Sequence, residues 1–108
     1  MKRLTIGRNA VEALSLIPEG VIKKLQAKSR TLGITRKAEI FYVFDAFCPH
    51  RGASLIQGSI NPQNEIICPL HQYRFELKTG KVKAGYCSDL ETYPWELSQN
   101  GLIITLPE

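Results

Sequence analysis

The sequence predicts an all-β fold, a mostly antiparallel domain spanning residues 1–108, and three observations carry that expectation. Apolar and β-branched residues gather in short runs, turn-forming residues separate the runs, and no stretch of about 12 residues shows the apolar spacing of an amphipathic helix. In chain order, residues 1–35 read as short strands and turns, with Pro18-Glu19-Gly20 turning the chain ahead of VIKKLQ. There the spacing of Val21, Ile22 and Leu25 suits a helix as well as a strand. The tract EIFYVFDAF over 39–47 is dense in β-formers and aromatics, and it reads as a buried strand that leads straight into Cys48. After His50 comes a turn-rich segment holding Gly52, Gly58, Ser59, Asn61, Pro62 and Asn64, closed by a short apolar strand over 65–67. Residues 73–77 alternate, Lys78-Thr79-Gly80-Lys81 turns, and 82–84 resumes, which predicts a hairpin. Asn100-Gly101, between 95–98 and 102–106, is the strongest local hairpin signal in the chain.

Composition sets the class. With 44% hydrophobic and 22% charged residues, 108 residues suit one compact globular domain. No apolar run approaches the roughly 18 residues of a membrane span. The first 20 residues bring in Glu12 and Glu19 where a secretory leader would be continuously apolar, so no signal peptide and no membrane partner are read and a cytoplasmic location is expected. The net charge of +4 favours acidic partners and supports long-range steering. Lys23-Lys24, Lys81 and Lys83 form short, separated clusters without a helix-length basic stripe or interleaved aromatics, so nucleic acid is not an expected partner. Three cysteines are odd in number and too few for a disulfide framework.

The chemistry concentrates in two places. Cys48-Pro49-His50 and Cys68-Pro69-Leu70-His71 each offer one thiolate and one imidazole, and together they hold both histidines and two of the three cysteines of the chain. Such soft sulfur and nitrogen donors suit zinc, copper, iron or an iron-sulfur core, and not calcium or magnesium.

These two segments resemble the Rieske iron-sulfur family, in which each of two loops gives one cysteine and one histidine, the cysteines to one iron and the histidines to the other. The family's Cys-x-His loop maps onto Cys48 and His50, and its Cys-Pro-x-His loop onto Cys68, Pro69 and His71. The likeness runs from about 42 to 80 and continues more weakly through YCSDLETYPWEL. It implies one [2Fe-2S] cluster held by Cys48, His50, Cys68 and His71. It also implies an antiparallel β base domain with a cluster-binding subdomain, about 46–73, inserted into it. In the oxidised cluster the formal charges of ferric irons, sulfides and thiolates cancel with neutral histidines, and one electron leaves a single negative charge. Imidazoles in place of two thiolates raise the potential relative to an all-cysteine cluster. The second ring nitrogen of each histidine couples the potential to pH. Pro49, Leu55, Pro69, Leu70 and Tyr73 are expected to pack drily around an exposed histidine tip.

Departures from the family pattern narrow the class. High-potential members brace the loops with a disulfide, and the matching positions here are Ala53 and Leu70. They also place hydroxyl donors where this chain has Tyr73 and Phe75, so a low-potential Rieske-type ferredoxin is expected. Gln72 stands where glycine is common, and its side chain argues against a φ > 0 backbone there. Cys87 has no thiol or imidazole near it in sequence and is expected to be a structural cysteine.

The resemblance implies a soluble one-electron carrier, not catalytic alone: the ferredoxin component of a multicomponent oxygenase, with a flavin-dependent reductase and a terminal oxygenase as partners. A second reading is the small Rieske subunit of an assimilatory nitrite reductase, whose large subunit would be the partner. A third is a structural zinc or iron-sulfur sensor domain, although Cys-x-His with Cys-x-x-His departs from ordinary zinc-finger spacing.

Overall fold

A computed structural model describes residues 2–107. Ten strands, one short α-helix and a single 3-10 turn at Leu55–Gln57 lie among the described residues, the strands and α-helix in the order β1 (Lys2–Ile6), α1 (Ala10–Leu16), β2 (Lys23–Ala27), β3 (Arg30–Lys37), β4 (Ile40–Asp45), β5 (Ser59–Ile60), β6 (Glu65–Ile67), β7 (Arg74–Glu76), β8 (Val82–Ala84), β9 (Trp95–Ser98) and β10 (Gly101–Leu106). They form three antiparallel sheets, ordered β1-β10-β9, β2-β3-β4 and β5-β6-β7-β8. The mostly antiparallel β fold is thus the one the turn and strand pattern predicts.

Two elements differ from that reading. Residues 10–16, expected as strand or turn, form α1. Its N-cap is Asn9, whose Oδ1 accepts from the Glu12 amide at 2.9 Å, while the Glu12 carboxylate accepts from the Arg8 amide at 2.9 Å. The helix has seven residues, and Ala13 is its one fully buried position, with Ile17 buried just past its end. So short an apolar face leaves little periodic signal. VIKKLQ, open to either structure, gives a strand because its apolar residues serve different cores: Leu25 packs with the first and Ile22 with the second. The last hairpin forms as expected, but its turn residues are Gln99 and Asn100, because Gly101 already pairs with Ser98. Gly101 adopts φ +105, a conformation that favours glycine, at the first paired residue after a turn that lies one residue earlier than the Asn-Gly pair suggests.

Two hydrophobic cores result. The first joins Ala13, Leu32, Ile34, Phe41, Val43, Leu102 and Ile104 beneath α1 and the base strands. The second gathers Phe44, Leu55, Ile66, Phe75, Leu77 and Leu90 together with Cys48 and Cys68. β4 divides its faces between them: Phe41 and Val43 enter the first, Tyr42 and Phe44 the second, as the period of two in a strand requires. Gly33 on β3 permits this, since a Cβ there would collide with the Phe44 ring. Polar ties reinforce the junction. Asn64 Nδ2 donates to Tyr42 Oη at 2.6 Å, and the Tyr93 hydroxyl donates to Asp45 at 2.8 Å while accepting from Arg30 at 3.0 Å. The chain leaves β4 at Asp45 and reaches Cys48 within three residues, so the strand fixes where the first donor loop begins.

Candidate metal centre

The two donor loops close in the same way. The Cys48 amide donates to the Ala53 carbonyl at 2.8 Å, and the Cys68 amide donates to the Tyr73 carbonyl at 2.7 Å, in each case the fifth residue along. The fourth residue after each cysteine, Gly52 or Gln72, has positive φ, +72 and +59. His71 joins it at φ +66. The expectation that Gln72 avoids a left-handed backbone is therefore corrected. A loop closed over five residues imposes that conformation at its fourth position, and the side chain bears the strain.

This closure buries the two candidate thiol donors and leaves the two candidate imidazoles nearer the surface, His71 exposed and His50 half-buried. Cys48 and Cys68 are 2% and 0% exposed, and their side chains lie within hydrogen-bonding reach of each other. Burial pushes the Cys68 thiol up from its ordinary pKa, an amide hydrogen bond from Leu70 opposes that, and Cys48 raises it further. The His50 and His71 rings stand 5.6 Å apart at 67°. Burial, then Arg51, then His71 hold His50 below its usual value, which keeps the ring a neutral donor. Its Nδ1 is buried with no hydrogen-bond partner. A buried nitrogen left unpaired costs about 1–3 kcal/mol, so an atom in that state among thiols and a second imidazole has the chemistry of a waiting ligand.

Tyr73 holds His50 from the other side, its ring stacked at 3.9 Å and 8°. Gly85 makes room for it, because a Cβ at Gly85 would run into the Tyr73 ring. The expected dry packing is thus supplied by Tyr73 and fully buried Leu55, whereas Pro69 is exposed and Leu70 is 39% exposed. Those two residues crown a loop whose backbone faces out and whose thiol faces in. His71 is exposed and His50 half-buried, which leaves one imidazole open to the surface.

Cys87 is the residue whose neighbourhood sequence order conceals. It packs against the second core with Tyr73 and Ala53, and its thiol lies near enough to those of Cys48 and Cys68 for ionisation of one to oppose that of another. Burial, then Cys48, then Asp89 raise its pKa. The segment 84–89 therefore forms a third wall of the site, brought there by the β7–β8 hairpin.

Comparison with known proteins defines the class: residues 8–94 match the Rieske [2Fe-2S] domain, and the chain belongs to that family. Its relatives are more particular. The 3-phenylpropionate/cinnamic acid dioxygenase ferredoxin subunit of Escherichia coli (strain K12) is 32% identical over 93 residues, covering 85% of this chain and 87% of that protein. The ferredoxin of carbazole 1,9a-dioxygenase from Nocardioides aromaticivorans IC177 shares the fold with a TM-score of 0.85 at 21% identity, covering 99% of this chain and 100% of that one. A ferredoxin bound to the oxygenase of carbazole 1,9a-dioxygenase superposes with a TM-score of 0.79 at 24% identity, over 94% of this chain and 91% of that one.

Proposed function

We propose that this Rieske domain is a one-electron carrier in which Cys48 and Cys68 hold one iron of a single [2Fe-2S] cluster and His50 and His71 hold the other. The observation that carries the reading is the pair of identically closed loops, each presenting a buried thiol and an imidazole, with His50 Nδ1 buried and unpaired. A bound cluster supplies reversible one-electron storage. The chain supplies the rest: a dry sulfur end within the second core, an imidazole end at the surface for electron exit, and Tyr73 to fix the His50 ring.

The donor arrangement speaks against the zinc reading. The two thiols lie within hydrogen-bonding reach of each other, and the two imidazole rings stand 5.6 Å apart. A sulfur pair and a separate nitrogen pair suit two irons, whereas four-coordinate zinc needs its ligands around one point. Anaerobically purified protein is expected to contain two irons and two acid-labile sulfides per chain, with a rhombic paramagnetic signal on reduction. One zinc without sulfide overturns the proposal. His50→Ser and His71→Ser are each expected to abolish the native signal while far-ultraviolet circular dichroism keeps its β character.

The potential is expected at the low end for the family. Phe75 is wholly buried and has no hydroxyl, and the Tyr73 ring lies face-on to His50, so two usual sources of stabilising hydroxyl groups are missing. Equilibrium redox titration giving a potential in the respiratory range overturns this assignment. The partners that fit are a flavin-dependent reductase as donor and a terminal oxygenase as acceptor, by analogy with the dioxygenase ferredoxins. A role as the small subunit of an assimilatory nitrite reductase is the second reading, and the curated relatives support it less. Stable co-purification with a sirohaem protein would favour that second role. Reversible reduction by a flavin reductase with transfer to an oxygenase favours the first.

A further inference from the structure

We infer that the cavity between the β3–β4 face and the turn over 60–64 is a binding site for a small monocarboxylate whose apolar body is about one ring in size. The site lies outside the donor loops and does not depend on the carrier reading.

Strand register builds its floor. Leu32 and Ile34 enter the first core, so Thr35, the next residue of β3, projects from the opposite face. It stands opposite Tyr42 of β4, and both line a cavity of about 260 Å3. Ile60, Pro62 and Leu77 line it as well and make its wall largely apolar. Sites for drug-sized ligands run to roughly 300–1,000 Å3, so this one suits a smaller molecule.

The polar groups set the chemistry. Thr35 is 1% exposed, and its Oγ1 is buried with no hydrogen-bond partner. A hydroxyl left in that state destabilises the fold, and valine would fill the same place in a strand without that cost. Tyr42 Oη accepts from Asn64 Nδ2 at 2.6 Å, and its own proton has no acceptor among the described residues. Two hydroxyls lining one cavity thus keep unspent donors, which call for an oxygen acceptor on the ligand. The charged residues of the lining are two cations, Arg36 and Lys37, and one anion, Glu19. The Glu19 carboxylate accepts from the Ala38 amide at 2.9 Å, and Arg36 donates to the carbonyls of Ile17 at 2.7 Å and Ala38 at 2.6 Å. The Lys37 side chain is exposed and has no hydrogen bond or ion pair among the described residues. An acceptor that meets both hydroxyls and an unpaired ammonium is a carboxylate.

The test is calorimetric titration of the full chain as purified, at low ionic strength, with sodium benzoate and with benzyl alcohol as its neutral counterpart. Benzoate should fill one saturable site with a Kd of about 1 mM or tighter, and benzyl alcohol should bind at least about fivefold more weakly. Thr35→Val should weaken benzoate at least about fivefold while raising Tm, because it removes the orphan hydroxyl and keeps the shape of the side chain. A purely structural threonine would not move those two readouts in opposite senses. Tyr42→Phe is the second variant and should weaken benzoate likewise. Lys37→Gln should bring benzoate down to the affinity of benzyl alcohol and leave benzyl alcohol unchanged. The site is overturned by benzoate that does not saturate below about 20 mM, by undiminished benzoate binding in both hydroxyl variants, or by benzyl alcohol binding as tightly as benzoate. None of these outcomes bears on the iron and sulfide content that tests the carrier reading.

Discussion

At the scale of single residues, the proposed donors are legible in the sequence because ligand chemistry restricts them to few residue types. Cys48, His50, Cys68 and His71 stand out as two short pairs in an otherwise ordinary composition. What surrounds them is not legible, since it depends on backbone closure and on contacts between distant segments. Gln72 illustrates the first: its φ of +59 follows from the Cys68–Tyr73 hydrogen bond and not from its own preference. Gln72→Gly is therefore expected to stabilise the protein by about 0.5–1 kcal/mol, read as a higher denaturant midpoint with iron content unchanged. Gly85 and Cys87 illustrate the second, since nothing near them in the chain announces Tyr73 or Cys48 as neighbours. Gly85→Ala is expected to push the Tyr73 ring off His50 and to shorten the lifetime of the bound cluster. Bleaching of its visible absorption in air would follow at least several-fold faster than in the parent protein.

At the scale of elements, strands were readable wherever alternation and turn chemistry agreed. The tract through Phe41 and Val43 alternates between two cores, and the terminal hairpin is bracketed by turn residues. α1 escaped because seven residues with one fully buried position carry no usable period, although the Asn9 to Glu12 spacing was a cap signal in plain view. Its stability leans on that cap. Asn9→Ala is expected to cost about 1 kcal/mol in chemical denaturation, with the cluster's spectrum untouched because the helix packs on the other core.

At the scale of the whole molecule, the two cores share β4 and are tied together by Tyr93, which is buried, bonded to Asp45 and Arg30, and pushed up to about 12 by burial first and by Asp45 second. The fold favours the neutral phenol. Its contribution is fully present below the ordinary tyrosine value of about 10 and is lost as pH rises towards about 12. Stability measured against pH should therefore fall between those values, and Tyr93→Phe should flatten that fall while lowering stability at neutral pH through its lost hydrogen bonds. A steepness unchanged by the substitution would contradict the assignment. The matching closures at Cys48 and Cys68 have one more consequence: because main-chain bonds inside the protein shape both arms, the cradle proposed for the cluster is expected to form without it. In protein freed of iron, the amide protons of those two cysteines should still exchange slowly with deuterated solvent, and assembly should insert a cluster into a finished mould instead of folding the arms around it.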